Sequence, residues 1–364
     1  MQNEKKLVFL LCSFTIIRNV LPFMIRKANY SDIAPIVEYL KSVPFDVSRT
    51  QLYSAQELYG DFTPGEPGQL DNCLDTQVYR HYLSKGKQTN DIKESMARTL
   101  HDHGVYVALG EFFRSHNYLK CIGIMGGHAM LRTDAKFRQI VFLTKQLTEQ
   151  GFCMLSGGGP GAMEATHLGA WMAGRNENEV EDTLRILSAS PSFRDPSWLS
   201  TAFEVINKYP QTRYESLGIP TWLYGHEPST PFATHIAKFF ENSIRENHIL
   251  TLPFGGIIYT PGSAGTMHEI FQDAEQNHYL SYGFSSPMIF LGSKFWTEEM
   301  PAYPLLQKLA EKGKYKNLSL TLTDDTEEVK QQLLSFQHLV QERPGAFALQ
   351  WFLAYSAYAL NMLQ

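Results

Sequence analysis

Phe152-Cys-Met-Leu-Ser-Gly-Gly-Gly-Pro-Gly-Ala-Met163 is the stretch on which the fold turns. Phe152 to Leu155 is a short apolar run, Ser156 and three glycines break it, and Ala162 to Ala173 reads as a helix. The same rhythm stands just upstream. Tyr118-Leu-Lys-Cys-Ile-Gly-Ile-Met125 is a strand-like run ending in Gly126-Gly127. Phe137, Ile140, Val141, Thr144 and Leu147 then recur at helical spacing, and Gly151 caps that helix at its C-terminal end. Strand, helix, strand, helix in succession implies a parallel sheet with right-handed crossovers.

The series continues downstream. Thr221–Tyr224, Gly256–Tyr259, Pro287–Leu291 and Leu318–Leu322 read as further strands, with helices at Thr234–Asn247 and Met267–Asn277. The expected fold class is α/β, a doubly wound parallel (Rossmann-like) sheet with helical N-terminal and C-terminal additions. Four parts are expected: an apolar segment 1–23, a helical region 24–117, a Rossmann-like domain 118–325 and a helical tail 326–364. Residues 174–214 interrupt the alternation and read as an insertion, with an acidic run Glu177–Asp182 and a helix-like stretch Trp198–Ile206. Asp61–Gly68 is dense in Pro and Gly and must be loop, and Asp91–Phe113 reads as helix. The tail carries aromatic residues Phe347, Trp351, Phe352, Tyr355 and Tyr358, expected to pack on the core or on a partner chain.

Composition narrows the function classes. The chain has 364 residues, 43% hydrophobic and 19% charged, enough for a sizeable core. A formal net charge of -5 argues against a nucleic-acid-coating surface, which needs excess Lys and Arg. The four cysteines form no C-x-x-C pair, and Cys121 and Cys153 read as buried small hydrophobes in a reducing compartment. A cytoplasmic location and no membrane span are expected. Leu7–Ile17 is apolar but too short to span a bilayer, which takes roughly 20 residues. An over-extended start before Met24, an apolar N-terminal helix and an export signal stay open for it. His101 and His103 form no metal-ligand pattern and read as solvated or capping; no metal and no cofactor is expected.

Two loops carry the chemistry. In the first, Gly157, Gly158, Gly159 and Gly161 let the backbone curl with its N–H groups inward, while the helix that follows offers free amides and the positive end of its dipole. Such a loop suits phosphate. Ala162, Ala165, Gly169 and Ala170 keep that helix slim against the sheet. Gly157, Gly159 and Ala162 also meet the loose G-x-G-x-x-A dinucleotide pattern, but after the second strand rather than the first. A plain strand-to-helix turn is the alternative. The second loop, Tyr259-Thr-Pro-Gly-Ser-Ala-Gly-Thr-Met-His-Glu269, has the same layout. Gly262, Ser263, Ala264, Gly265 and Thr266 are its phosphate-binding candidates. The Thr266 hydroxyl caps the helix or bonds a phosphate oxygen. Glu269 either completes a capping box with Thr266 or faces the same cleft as the phosphate. On neighbouring strands, the two loops would grip one ligand at the carboxyl edge of the sheet.

The two motifs, GGGPGAM at Gly157–Met163 and PGSAGTMHE at Pro261–Glu269, resemble those of the Lonely Guy family of nucleoside 5′-monophosphate phosphoribohydrolases, also labelled lysine decarboxylase-like. The Pro-Gly-Ala-Met variant is similar to the larger bacterial purine/pyrimidine nucleotide 5′-monophosphate nucleosidases. The resemblance covers roughly residues 118–325. It implies roles for Met163, for an arginine matching Arg245, for the early glycine turn Gly126-Gly127-His128, and for contact between Glu269 and the ribose hydroxyls. It also implies a homodimer or larger homo-oligomer. Ser263 departs from the family's second glycine, Glu164 stands where small members have Gly, and Arg245 to Pro261 is about one residue longer than in short members.

The expected activity is hydrolysis of nucleoside 5′-monophosphates to free base and ribose 5-phosphate. Cleavage develops positive charge on the ribose, which the Glu269 carboxylate stabilises, or it orients water. Arg245 offers a planar, permanently charged fork to the phosphate or to Glu269. His128 is a ligand contact, His226-Glu227-Pro228 a candidate lining for the base pocket, and Asp273 a helper one turn beyond Glu269. His268 points away from its neighbour Glu269 and reads as structural or as a dimer contact. A non-catalytic carrier or sensor of a phosphorylated ligand is the alternative, and an NAD(P)-dependent oxidoreductase the second. Lysine decarboxylation is disfavoured, because no lysine site for pyridoxal phosphate accompanies the loops.

Overall fold

The structure, a computed structural model, describes residues 30–60, 62 and 69–342. The apolar segment 1–23, nearly all of the 61–68 loop and the aromatic tail beyond Glu342 lie outside the described residues.

Seven strands form one parallel sheet in the order β4-β3-β2-β1-β5-β6-β7. They are β1 (Cys121–Met125), β2 (Cys153–Ser156), β3 (Ser216–Gly218), β4 (His235–Ile236), β5 (Gly256–Tyr259), β6 (Pro287–Leu291) and β7 (Ser319–Thr323). β1 is buried along its whole length, as a central strand covered on both faces must be. From β1 the chain winds outward through β2, β3 and β4, then returns to β5 on the other side of β1. The order reverses beside β1, where open α/β sheets place their ligands.

Among the described residues, four α-helices precede the sheet: α1 (Tyr30–Ser42), α2 (Ala55–Tyr59), α3 (Leu74–Ser84) and α4 (Ile92–Ser115). Asp91 caps α4, its side chain accepting from the Lys93 amide. Ala97, His101, Val105, Ala108 and Phe112 recur along its buried face. The remaining helices are α5 (Ala135–Glu149), α6 (Ala162–Trp171), α7 (Glu177–Leu187), α8 (Trp198–Lys208), α9 (Asn242–Thr251), α10 (Ala264–Tyr279), α11 (Ala302–Glu311) and α12 (Thr326–Glu342). α12 buries Val329 and Leu333 against the sheet, and Gln337 hydrogen-bonds the Leu119 carbonyl.

Three expectations need correction. Thr221–Tyr224 is not a strand: the Thr221 hydroxyl accepts from the Leu223 amide at 3.1 Å and starts a 3-10 turn over Trp222–Tyr224. The helix expected over Thr234–Asn247 begins only at Asn242, because His235 and Ile236 pair in parallel with β3, and Ile236 also pairs with Tyr53. Gly169 does not slim α6 against the sheet but against α5; a methyl there would stand 1.9 Å from the Thr144 hydroxyl. The insertion is two helices, its acidic run closed by a capping box between Asn176 and Glu179.

Candidate functional site

The turns after β1, β2 and β5 meet at the carboxyl edge of the sheet. β1 separates β2 from β5, so the two glycine loops are not on neighbouring strands as expected. The turn after β1 joins them instead. The Gly127 amide donates to Pro261 O at 3.0 Å, and the Ala162 amide donates to Gly127 O at 3.1 Å.

The first loop is shaped by close approach. Gly161, at φ +70°, caps α6, and a Cβ there would stand 2.4 Å from Gly127 O. A Cβ on Gly157 would meet the Arg245 guanidinium at 2.3 Å and the Met163 sulfur at 2.7 Å. Behind the loop, the Ser156 hydroxyl accepts the Gly158 amide at 3.1 Å and bonds His167 Nε2 at 2.8 Å; His167 Nδ1 reaches the Ser216 hydroxyl at 2.9 Å. Burial pushes His167 down to about 3, so the ring is neutral at pH 7. Nothing in the sequence distinguishes His167 from the apolar helix around it.

The two loops differ in access. Gly157 to Ala162 is buried, whereas Ser263, Ala264 and Gly265 are exposed. The open amides of the site therefore belong to the start of α10. The dinucleotide pattern at Gly157–Ala162 is covered by Met163 and Pro220, which leaves a pyrophosphate no bare backbone there.

α10 begins at Ala264, three residues before Met267, whose amide bonds Ser263 O at 3.0 Å. Thr266 is inside the helix, buried, with its hydroxyl turned back on Gly262. It is not the cap, so no capping box with Glu269 forms, and Glu269 lies beyond the first turn where the dipole acts. Glu269 is half-buried. Desolvation pushes it up to about 7; the Arg245 charge pulls it back, and Glu246 pushes it further up. Arg245 projects from α9 with Nε donating to Ile219 O at 2.8 Å, which holds its fork over Gly157.

Other expected residues divide. Asp273 is buried, accepts from the Tyr259 hydroxyl at 2.6 Å, and is pushed up to about 7 by burial against that bond's opposing pull. His268 points outward, 3.8 Å from Glu246. His101 is not solvated but buried, between the Tyr53 hydroxyl at 2.7 Å and Asp102 at 2.9 Å. His128 stands at the rim with Phe193 edge-on and Glu227 at 3.7 Å. Glu164 faces away from the cleft. Its carboxylate receives both Nε and Nη2 of Arg132, which also bonds Thr201 Oγ1, Ser190 O and Trp198 O. Glu164 thus ties α6 to the insertion. Among the described residues, no group of three or more His, Cys, Asp or Glu could hold a metal ion, and no helix is long and apolar enough to cross a membrane.

No family model and no curated protein matches the chain. Solved structures similar to part of it include the following three. The molybdenum cofactor binding protein from the phototrophic bacterium Rippkaea orientalis is 15% identical, with a TM-score of 0.39, over 60% of this chain and 96% of that one. TM1055, a structural genomics target, is 17% identical, with a TM-score of 0.38, over 59% and 99%. The Moco carrier protein from Chlamydomonas reinhardtii is 17% identical, with a TM-score of 0.37, over 59% and 97%.

Proposed function

We propose that this cleft hydrolyses the N-glycosidic bond of nucleoside 5′-monophosphates, releasing free base and ribose 5-phosphate. The observation that carries the reading is a half-buried carboxyl, Glu269, that lies on the helix whose N-terminus is exposed and feels the charge of Arg245. Phosphate would sit on the amides of Ser263 to Thr266, where free N–H groups and the helix dipole favour an anion. Gly126, Gly127, Gly157 to Gly161 and Gly262 would form the floor, with Met163 and His128 above it. The ribose then lies over Glu269. Water attacks C1′, the C1′–N bond breaks, and the base leaves with the bonding electrons and a proton. An ionised Glu269 would stabilise the positive charge building on the sugar or orient the water; Arg245 would keep the acid ionised in a poorly solvated site. Phosphate contacts remote from the reacting bond position the sugar. A cytoplasmic homodimer or larger assembly belongs to the same reading, and light scattering on the purified chain tests the latter.

The test is incubation with AMP, GMP, CMP, UMP and the matching nucleosides, assaying free base. Release is expected from one or more monophosphates and little from nucleosides. Glu269→Gln should abolish turnover and still bind ribose 5-phosphate; undiminished turnover would remove the acid from the mechanism. A second reading is favoured by the same carboxyl. Burial pushes it up to about 7, toward the neutral form, and a neutral acid can simply donate a hydrogen bond to a carried, phosphorylated ligand. That reading predicts tight binding and no base release from any monophosphate.

A further inference from the structure

The geometry points to Glu227 as the residue that reads the base, and to a guanine-type edge, a ring N–H beside an exocyclic amino group, as what it reads. The inference rests on the nucleosidase reading for the sugar and phosphate and adds the identity of the base.

Glu227 follows the turn at Trp222–Tyr224, its amide donating to Tyr224 O at 2.8 Å. The segment after it is pinned from both sides. The Thr230 amide donates to Gly158 O at 2.9 Å, and behind it the Tyr59 hydroxyl donates to Ser229 O at 2.9 Å. Buried Lys238 bonds both Asp75, at 2.5 Å, and the Ser229 hydroxyl, at 3.0 Å. Glu227 is therefore presented to the first loop by a rigid support.

Its carboxylate is mostly covered, with the side chain 18% exposed. It makes no hydrogen bond among the described residues. The imidazoles of His128 and His226 stand 3.7 Å and 3.8 Å away, beyond hydrogen-bond length. A mostly covered carboxylate that accepts no hydrogen bond here has both oxygens free to take donors from a ligand. Oε2 lies 3.9 Å from the point where a Cβ on Gly159 would stand, and Met163 covers both this glycine and Gly157. Arg245 stands at the Gly157 end of that thioether and Glu227 at the Gly159 end. A negative charge at the Gly159 end repels phosphate, which leaves the phosphate to the start of α10 and turns the base toward Glu227. Phe193, edge-on to His128, adds an apolar surface at the same rim.

Two parallel acceptor oxygens fit two parallel donors. Guanine presents N1–H and the 2-amino group side by side. Adenine and cytosine set a ring-nitrogen lone pair beside their amino group, and uracil flanks its single N–H with two carbonyls. Each of these puts an acceptor against the carboxylate, which a site built for donors rejects.

The test compares binding of GMP, IMP, AMP, UMP and ribose 5-phosphate to the full chain by calorimetry, with base release assayed alongside. GMP should bind tightest, IMP about 10-fold weaker for want of the 2-amino group, and UMP weaker still. Glu227→Gln puts an amide NH2 against a donor and should weaken GMP by about 10- to 100-fold, while ribose 5-phosphate, relieved of the repelling charge, binds no more weakly than before. Equal affinity for GMP and IMP in the wild-type chain, or an unchanged ranking in the variant, overturns the assignment. GMP-selective binding with no base release would sink the nucleosidase reading and leave Glu227 standing. Base release without preference for GMP would do the reverse.

Discussion

Glu269 shows why a motif residue needs its surroundings. A carboxyl four residues into a helix-starting motif has an ordinary electrostatic explanation, and only the helix start at Ala264 removes it. Its pH behaviour follows from the shift. If the ionised form is the active one, activity rises with pH through about 7 and reaches its plateau above that. Stability runs the other way. The folded chain holds this proton up to about 7 while the unfolded chain releases it near the ordinary 4.5, so ionisation disfavours the fold as pH climbs between the two. Glu269→Gln should thus be more stable than wild type at pH 8, by no more than about 3 kcal/mol, and no more stable at pH 4. Urea unfolding at both values measures this; a pH-independent difference would refute it. His167 has the opposite sign. Its folded value is depressed to about 3, so the unfolded chain binds the extra proton first. Stability should fall below pH 6.5 by up to about 1.4 kcal/mol per pH unit for this group. His167→Gln should flatten that slope in an acid titration of unfolding.

At the scale of elements, the site is held by polar contacts from outside the motifs. Asp102 of α4 accepts the Phe240 amide at 2.9 Å and the Glu241 amide at 2.8 Å, at the entrance to the helix that carries Arg245. The buried pair of Arg132 and Glu164 ties α6 to α8 in the same way. Removing one partner of a buried pair strands the other charge. Arg132→Met alone should cost about 3–5 kcal/mol, and the double change to Met at 132 and 164 markedly less than the two single changes added together. Denaturant unfolding of the four proteins gives the coupling; additive losses would show that the pair is not a unit. Strand order at this scale was not readable from the sequence. β5 announces itself as an apolar run before a glycine loop, but its place beside β1 depends on which partner fills the space left by β2. The short strands β3 and β4 carry no alternation long enough to read, and their pairing rests on neighbours such as Tyr53.

Across the whole molecule, the helical region before residue 118 is part of the core. Lys238 is fully buried, and the carboxylate that compensates it, Asp75, lies on α3. Trp222, Phe240 and Ile236 share one apolar cluster with Phe45, Tyr53 and Tyr82. A chain starting at 118 should therefore lose its near-UV circular dichroism and bind a hydrophobic dye; a sharp, cooperative melt for that fragment would contradict this account. The α/β class, the positions of β1, β2, β5 and β6, and the two glycine loops could be read along the chain, because period, strand length and glycine punctuation are local properties of neighbouring residues. Which loop is open, where Glu269 sits relative to its helix start, what Glu164 pairs with and where Asp75 meets Lys238 were decided by tertiary packing. Those features depend on desolvation and on contacts between residues up to 163 apart, as in the Lys238–Asp75 bond, and no local pattern encodes such a meeting.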